Sequence, residues 1–276
     1  MVDIHGLEVL NGKRFEFGAN WARFLAVLNE ERIVQAEKSL CNMLGVSDLQ
    51  RESFLDIGSG SGLFSLAARR LGATVHSFDY DPKSVACTRE LKRRYFPEDA
   101  QWTIGEGSVL DRDYLGKLGQ FDVIYSWGVL HHTGAMWEAL GNVVPLVAGG
   151  GKLFIAIYND QGRPSVMWKK IKSVYCSAPK PLRSLILYAA FVRLWGPTTL
   201  RDLLKGHPGT TWRNYGKRGM SPWRDVVDWV GGYPFEVAKP EEIFDFYRDR
   251  GFRMDQLKTC AGGHGCNEFV FVKLAQ

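Results

Sequence analysis

The sequence predicts an α/β fold interrupted by one large helical insertion. A short apolar run, Phe54-Leu55-Asp56-Ile57, breaks into Gly58-Ser59-Gly60-Ser61-Gly62 and then into the helix-like residues 63–70. A second strand-like run, 74–78, ends in Asp79, about 20 residues past the first glycine. Strand, glycine turn, helix, strand is the sequence of a parallel sheet unit. The strand-like residues 152–158 are separated from a C-terminal stretch of helix and strand character by an aromatic, basic segment that prolines at 164, 179, 181, 197, 208 and 222 punctuate.

The remaining elements follow in chain order. Residues 20–44 place Trp21, Phe24, Leu25, Leu28, Ile33, Ala36, Leu40 and Leu44 near helical spacing, which predicts an N-terminal helical cap over 1–50. The core then occupies 51–160 and the insertion 161–238, a mostly helical lid. Lys239-Pro240-Glu241-Glu242 reads as a helix start with Pro in the first turn, leading through Ile243, Phe244 and Phe246 to Gly251. Strands near 252–259 and 268–273 complete the core within 239–276.

The glycine turn points to a ligand of nucleotide type. Glycines let the backbone approach a ligand closely, and the N–H groups at the following helix N-terminus supply donors. A dinucleotide fingerprint requires glycine at relative positions 1, 3 and 6; counted from Gly58 the sixth position is Leu63, and from Gly60 it is Ser65. A phosphate-binding P-loop requires Gly-Lys-Ser/Thr, and no lysine lies between Lys38 and Lys83. What remains is an adenosyl ligand without phosphates, held by the glycines, by Asp56 and by Asp79, an acid placed to accept ribose hydroxyls.

Residues 55–62 resemble the first motif of class I S-adenosylmethionine-dependent methyltransferases, an acid followed by alternating glycines. Asp79 matches that family's ribose-binding acid. Gly107-Ser108-Val109-Leu110-Asp111 resembles its adenine-contacting loop, with Ser108 where Asp is commoner. Residues 121–132 resemble strand 4 and the following turn of the small-molecule branch, including ubiquinone-type O-methyltransferases. The resemblance spans roughly residues 50 to 160 and implies a Rossmann-like, seven-stranded, mostly parallel sheet with the last strand antiparallel. It implies S-adenosyl-L-methionine as cofactor, with S-adenosyl-L-homocysteine as product. Asp56, Gly58, Ser59, Gly60, Gly62, Asp79, Tyr80, Ser108, Val109 and Ser126 are its expected binding residues. N-terminal helices of that family close over the cofactor, so Phe15, Phe17, Asn20 and Trp21 either wall its methionine end or pack into the core.

Methyl transfer to a hydroxyl requires removal of a proton, and histidine is the side chain suited to that near neutral pH. The candidates are His131, His132 and His264. His132 matches the family's histidine after strand 4. With the last strand antiparallel, the Ala261-Gly262-Gly263-His264-Gly265 link lies at the carboxyl edge of the sheet, where open α/β folds bind ligands. Turn or packing roles remain open for each histidine. Cys260, His264 and Cys266 lack the spacing of a standard zinc finger and a nearby fourth ligand. Asn159-Asp160 partly fits a catechol-type magnesium site, but Ser126-Trp127 supplies no acid. No metal is expected.

Charge is segregated along the chain. Residues 161–240 hold 14 Lys and Arg against 4 Asp and Glu, so a net +10 segment sits in a chain of net +5. It also holds five of the nine tryptophans. The aromatics either form the lid's own core or, with the basic groups, bind an anionic or amphiphilic substrate by ion pairing and cation–π contact. Residues 182–193 also allow peripheral membrane contact; no recognised RNA-binding signature supports nucleic acid as partner. Five scattered cysteines, and an N-terminus without the pattern of a secretory signal, predict reduced thiols and a cytoplasmic protein. The expected activity is methylation of a small molecule, most readily on oxygen, with an RNA or protein methyltransferase and a noncatalytic adenosyl-binding scaffold as the rival readings.

Overall fold

The computed structural model describes residues 4–217 and 222–275. Helices α1 (Ile4–Leu10), α2 (Gly18–Leu25) and α3 (Glu30–Leu44) precede β1 (Ser53–Ile57). Then come α4 (Leu63–Arg70), β2 (Thr74–Asp79), α5 (Pro82–Tyr95), β3 (Trp102–Glu106), α6 (Arg112–Leu115) and β4 (Phe121–Trp127). A 3-10 turn, Leu130–His132, leads to α7 (Met136–Val143) and β5 (Val147–Tyr158). Four helices follow: α8 (Arg163–Ser177), α9 (Lys180–Leu204), α10 (Thr210–Lys217) and α11 (Pro222–Gly231). The chain ends with α12 (Pro240–Arg248), β6 (Phe252–Lys258) and β7 (Cys266–Lys273).

The seven strands form one sheet in the order β3-β2-β1-β4-β5-β7-β6. β1, β2, β3, β4 and β5 pair in parallel, while β7 runs antiparallel to both β5 and β6. This is the Rossmann-like sheet that the resemblance implied. Successive residues of a strand face opposite sides, and both sides are apolar here because helices cover both. Leu55, Ile124, Leu153 and Ile155 pack with Leu140 of α7 and Ile243 and Tyr247 of α12. Phe54, Val123 and Phe154, their neighbours in sequence, pack with Ile33 and Leu40 of α3, Leu66 of α4 and Leu91 of α5. Local signals agree with that packing. Asn29 caps α3 by accepting from Arg32 N at 3.1 Å, and Asp81 caps α5 by accepting from Lys83 N at 2.8 Å.

β5 begins five residues earlier than the strand-like run at 152–158 suggests. Gly149, Gly150 and Gly151 interrupt the apolar pattern, and the β4–β5 register shifts between Phe121 and Val123. Glycines at such an irregularity hide a strand from periodicity.

The chain divides into two compact units, Glu16–Gly162 with Glu236–Gln276, and Met1–Phe15 with Arg163–Phe235. The first holds the sheet. The second groups the start of the chain with the insertion, where the sequence reading placed residues 1–50 together. Its reason is local: Phe15 N donates to Tyr233 O at 2.9 Å, and a Cβ at Gly12 would meet the Cys176 carbonyl oxygen at 2.8 Å. Within this unit the tryptophans pack on one another and on phenylalanine. Trp168 and Trp229 lie 5.6 Å apart, and Phe191 sits 5.2 Å from Trp212 and 5.4 Å from Trp223. These aromatics pack together within the unit, with Trp168 buried and Trp223 exposed.

Candidate functional site

The carboxyl ends of β1, β2, β4 and β5 meet at one edge of the sheet. After β1 the chain is pinned to the end of β2, with Gly58 N and Ser59 N both donating to Phe78 O at 2.8 and 3.1 Å. Gly58, Gly60 and Gly62 have φ of 77°, 55° and 80°, a region costly to side chains with a Cβ. Space adds a second requirement. A Cβ at Gly58 would meet Val129 Cγ1 at 2.4 Å, one at Gly60 the Trp21 indole at 3.0 Å, and one at Gly62 the Thr88 Cα at 2.9 Å. The turn is thus a thin sheet of backbone, with Trp21 over its middle and Val129 against its start.

Asp79 closes the turn from the other side. Gly60 N donates to its Oδ2 and Asp81 N to its Oδ1, both at 2.9 Å. A carboxylate has about four acceptor positions, so further hydroxyls can still be accepted. Burial pushes the Asp79 carboxyl up to about 6, against the backbone N–H bonds that lower it. The half-buried Tyr80 follows, then Asp81, which also accepts from Gly18 N at 2.8 Å and so anchors the start of α2. Gly107 N donates to Asp79 O at 3.0 Å, which brings the loop with Ser108 and Val109 beside Asp79. Ser108 Oγ accepts from Leu110 N at 3.2 Å, and Val109 is buried.

Asp56 and Ser126 lie deeper. Asp56 is buried and accepts a short hydrogen bond from Ser65 Oγ; Ser65 Oγ accepts from Ser77 Oγ at 2.7 Å, and Ser77 Oγ from Trp102 Nε1 at 2.9 Å. Burial, opposed by the Ser65 bond and reinforced by the charge of Asp79, pushes the Asp56 carboxyl up to about 7. Its partner in register on β4 is Tyr125, whose buried hydroxyl has no hydrogen-bond partner among the described residues. Burial first, then the charges of Asp56 and Glu268, hold that phenol well above its ordinary range. Ser126 is fully buried and donates to Ile57 O at 3.1 Å, which ties the ends of β4 and β1 together. Ser65, Ser77, Trp102 and Val129 carry no signal in the sequence, since nothing local marks a hydrogen-bonded chain assembled from four separate elements.

The turn after β4 carries two of the histidines. His132 N donates to Val129 O at 2.8 Å, so the residue seated on Gly58 and the histidine belong to one tight turn. His131 is fully buried, and its Nδ1 accepts from Tyr158 N at 3.3 Å, which assigns the ring proton of the neutral form to Nε2. The His132 ring lies 4.5 Å from His131, 5.1 Å from Phe17 and 5.4 Å from Tyr158. His264 stands exposed on the β6–β7 hairpin. That hairpin is tied to the end of β5 by Asn159 N to Gly265 O and by Asn267 Nδ2 to Asn159 Oδ1, each at 3.0 Å. Tyr158 and Asn159 therefore join the histidine pair on one side to the His264 hairpin on the other. Among the described residues no three His, Cys, Asp or Glu side chains are grouped to hold a metal ion.

Comparison with known proteins adds a family to this geometry: a model described as a methyltransferase domain matches residues 55–153, from β1 into β5. Residues 55–153 thus match a methyltransferase domain, the kind of domain implied by the resemblance to class I S-adenosylmethionine-dependent enzymes. The chain is 32% identical over 111 residues to a ubiquinone biosynthesis O-methyltransferase from a Caulobacter species, covering 38% of this chain and 40% of that protein. It is 40% identical over 77 residues to a ribosomal protein L11 methyltransferase from Methylococcus capsulatus, covering 27% and 26%. The matches thus span well under half the length of these relatives. Magnesium protoporphyrin IX methyltransferase from Synechocystis, solved with S-adenosylmethionine, aligns with a TM-score of 0.51 at 13% identity over 87% of this chain and 79% of that one, which shows a shared fold. The methyltransferase domain's own residues fit such a cofactor. The turn carries no side chain at Gly58 or Gly60, and Asp79 keeps acceptor capacity for a ribose.

Proposed function

We propose that this chain transfers the methyl group of S-adenosyl-L-methionine to a hydroxyl oxygen of a small anionic or amphiphilic molecule, leaving S-adenosyl-L-homocysteine. The cofactor supplies an electrophilic methyl group; the protein's share is to bind, orient and accept a proton. Gly58, Ser59, Gly60 and Gly62 present main-chain groups, Asp79 accepts the ribose hydroxyls with Tyr80 beside it, and the Ser108–Val109 loop borders the adenine. Trp21 covers the turn. Asp56 sets the polarity beneath it, and Ser126 fixes the strand end.

One observation carries the reading of oxygen as the methylated atom. The turn that packs Val129 on Gly58 also presents His132, so a proton acceptor is attached within three residues to the wall of the cofactor site. In-line displacement gains up to roughly 7 to 11 kcal/mol from alignment, and a positioned base adds roughly 10² to 10⁴ in rate. His131 supports His132 through an edge-on ring contact, with its Nδ1 engaged by the Tyr158 amide. His264, on the exposed hairpin, is the alternative base or a substrate contact.

The test is a comparison of His132→Ala and His264→Ala against wild type on phenolic and other hydroxyl acceptors. His132→Ala is expected to lower kcat about 10²-fold or more while calorimetry finds the affinity for S-adenosyl-L-homocysteine unchanged. Equal activity in both variants would remove these two histidines from the mechanism, and loss only in His264→Ala would give the role to His264. A second reading, methylation of RNA or protein, draws on the net +10 segment and on the ribosomal-protein methyltransferase among the relatives. Labelled methyl transfer to bulk RNA or ribosomal protein, abolished by Asp79→Ala, would favour it. Cofactor binding without turnover on any of these acceptors would point to a scaffold.

A further inference from the structure

The unit formed by Met1–Phe15 and Arg163–Phe235 exposes more apolar surface than its core accounts for. Helix α9 is apolar on two sides. Leu187 and Ala190 are buried on the side facing the unit's core, whereas Leu185, Tyr188, Val192, Leu200 and Leu203 stand 56 to 68% exposed. At 3.6 residues per turn these five fall within a sector roughly 120° wide, a stripe that follows a helix about 37 Å long. Trp223 of α11 is also exposed and packs 5.3 Å from Tyr188, so two amphipathic rings flank the stripe. On α8, Val166, Met167 and Val174 are exposed on the same helical face as the exposed Arg163 and Lys170.

The charge of this unit is predominantly positive. Residues 163–235 hold 13 Lys and Arg, of which Lys172 is buried, against 3 Asp and Glu. One of those acids, Asp202, is buried and accepts from Thr211 N and Oγ1 at 2.8 and 2.9 Å. A partner must therefore offer apolar depth and negative charge together. A second copy would bring the same positive charge to the contact. No helix among the described residues is long and apolar enough to cross a membrane, which leaves contact in the plane of the surface.

We propose that the α9 stripe, with the basic face of α8, docks on an anionic phospholipid surface. Leu185, Val192 and Leu203 enter the boundary between headgroups and acyl chains, Tyr188 and Trp223 sit at headgroup level, and the lysines and arginines attract the surface charge. This surface is independent of the methyl-transfer reading and uses none of the residues placed at the glycine turn.

Sedimentation of the full chain with vesicles tests it. Vesicles of phosphatidylcholine containing phosphatidylglycerol should carry the protein down, pure phosphatidylcholine should not, and added salt should weaken the binding. The triple variant Leu185→Gln/Val192→Gln/Leu203→Gln should lower the partition coefficient about tenfold or more. Neutralising Arg163 and Lys170 to Gln should lower it roughly fivefold per charge. Circular dichroism and thermal unfolding establish that the variants fold, and the exposed charge variants supply the answer if the triple variant does not. Phosphatidylglycerol brominated on its acyl chains should quench tryptophan emission less in Trp223→Phe than in wild type. Absence of binding to the anionic vesicles at low salt, or binding undiminished in both sets of variants, overturns the proposal. So does a doubled mass by light scattering that the triple variant abolishes, which would give the stripe to a second copy. Lipid-independent retention on an acidic protein would likewise give it to a protein partner.

Discussion

At Gly58 two separate physical demands fall on one residue, and they can be pulled apart. Its φ of 77° disfavours any Cβ, and the space a Cβ would fill is held by Val129. Gly58→Ala is expected to cost about 1 kcal/mol through the dihedral and more through the clash. Adding Val129→Gly should restore only the clash part, as urea unfolding and calorimetry with S-adenosyl-L-homocysteine would report. If Asp79 accepts the ribose hydroxyls as proposed, Asp79→Ala should weaken that ligand by about 3 kcal/mol. Asp56 shows a different effect. Its carboxyl is pushed up from 3.8 to about 7, so the folded state holds a proton that the unfolded state releases. Stability from this group is then present at the acid end and is lost as pH rises from about 4 to about 7. Asp56→Asn, neutral throughout, should flatten that decline and leave the protein roughly 1 to 4 kcal/mol less sensitive to pH. Denaturant curves across this range decide it, and an unchanged slope would sink the assignment.

Helix α8 presents the corresponding problem with a cation. Lys172 is fully buried, with its ammonium 4.3 Å from the Trp229 ring and 4.6 Å from Phe235, and it donates to the Trp229 carbonyl. These contacts hold α8 against the α11 residues of the same unit. Burial nonetheless draws its pKa down from 10.5 to about 7. The unfolded state therefore binds the proton more tightly, and stability should rise between about pH 7 and 10. Lys172→Met should remove this rise while keeping most of the packing volume. Thermal unfolding followed by tryptophan emission is the measurement, and a pH slope equal to wild type would contradict the account. The turn after β4 is an element in the same sense, because Val129, His131 and His132 act through the bonds that join them. A single substitution there needs both a binding and a rate readout.

For the whole molecule the division into two units makes a further prediction. Phe15 fills the space beside Gly231, where a Cβ would approach its ring to 2.2 Å. Phe15→Ala should destabilise the unit of residues 4–15 and 163–235 by about 3 kcal/mol. Every residue assigned to the cofactor belongs to the other unit, so affinity for S-adenosyl-L-homocysteine should stay at the wild-type value. Loss of affinity in step with stability would mean that the two do not behave as separate units. Charge is divided along the same boundary, since residues 163–235 carry a net +10 within a chain of net +5. Binding to anionic surfaces should therefore follow the insertion, and cofactor binding the sheet.

The first βαβ unit and its glycine turn were legible from residues alone, and the full sheet through the family resemblance. β1, the turn and β2 lie within about 30 residues of one another, a βαβ span whose apolar alternation and glycine spacing are local signals. Asp79 was legible for the same reason, and the hairpin carrying His264 could be placed at the carboxyl edge once the last strand was taken as antiparallel. Tertiary structure alone decided which atoms meet. The Trp102–Ser77–Ser65–Asp56 chain joins β3, β2, α4 and β1, and Val129 reaches Gly58 across 71 positions. Likewise residues 4–15 pair with a segment more than 150 positions away, and α9 leaves one apolar face bare while burying the other. Periodicity records that a side chain is apolar and how often it recurs, but which neighbour covers it depends on the folded path of the whole chain.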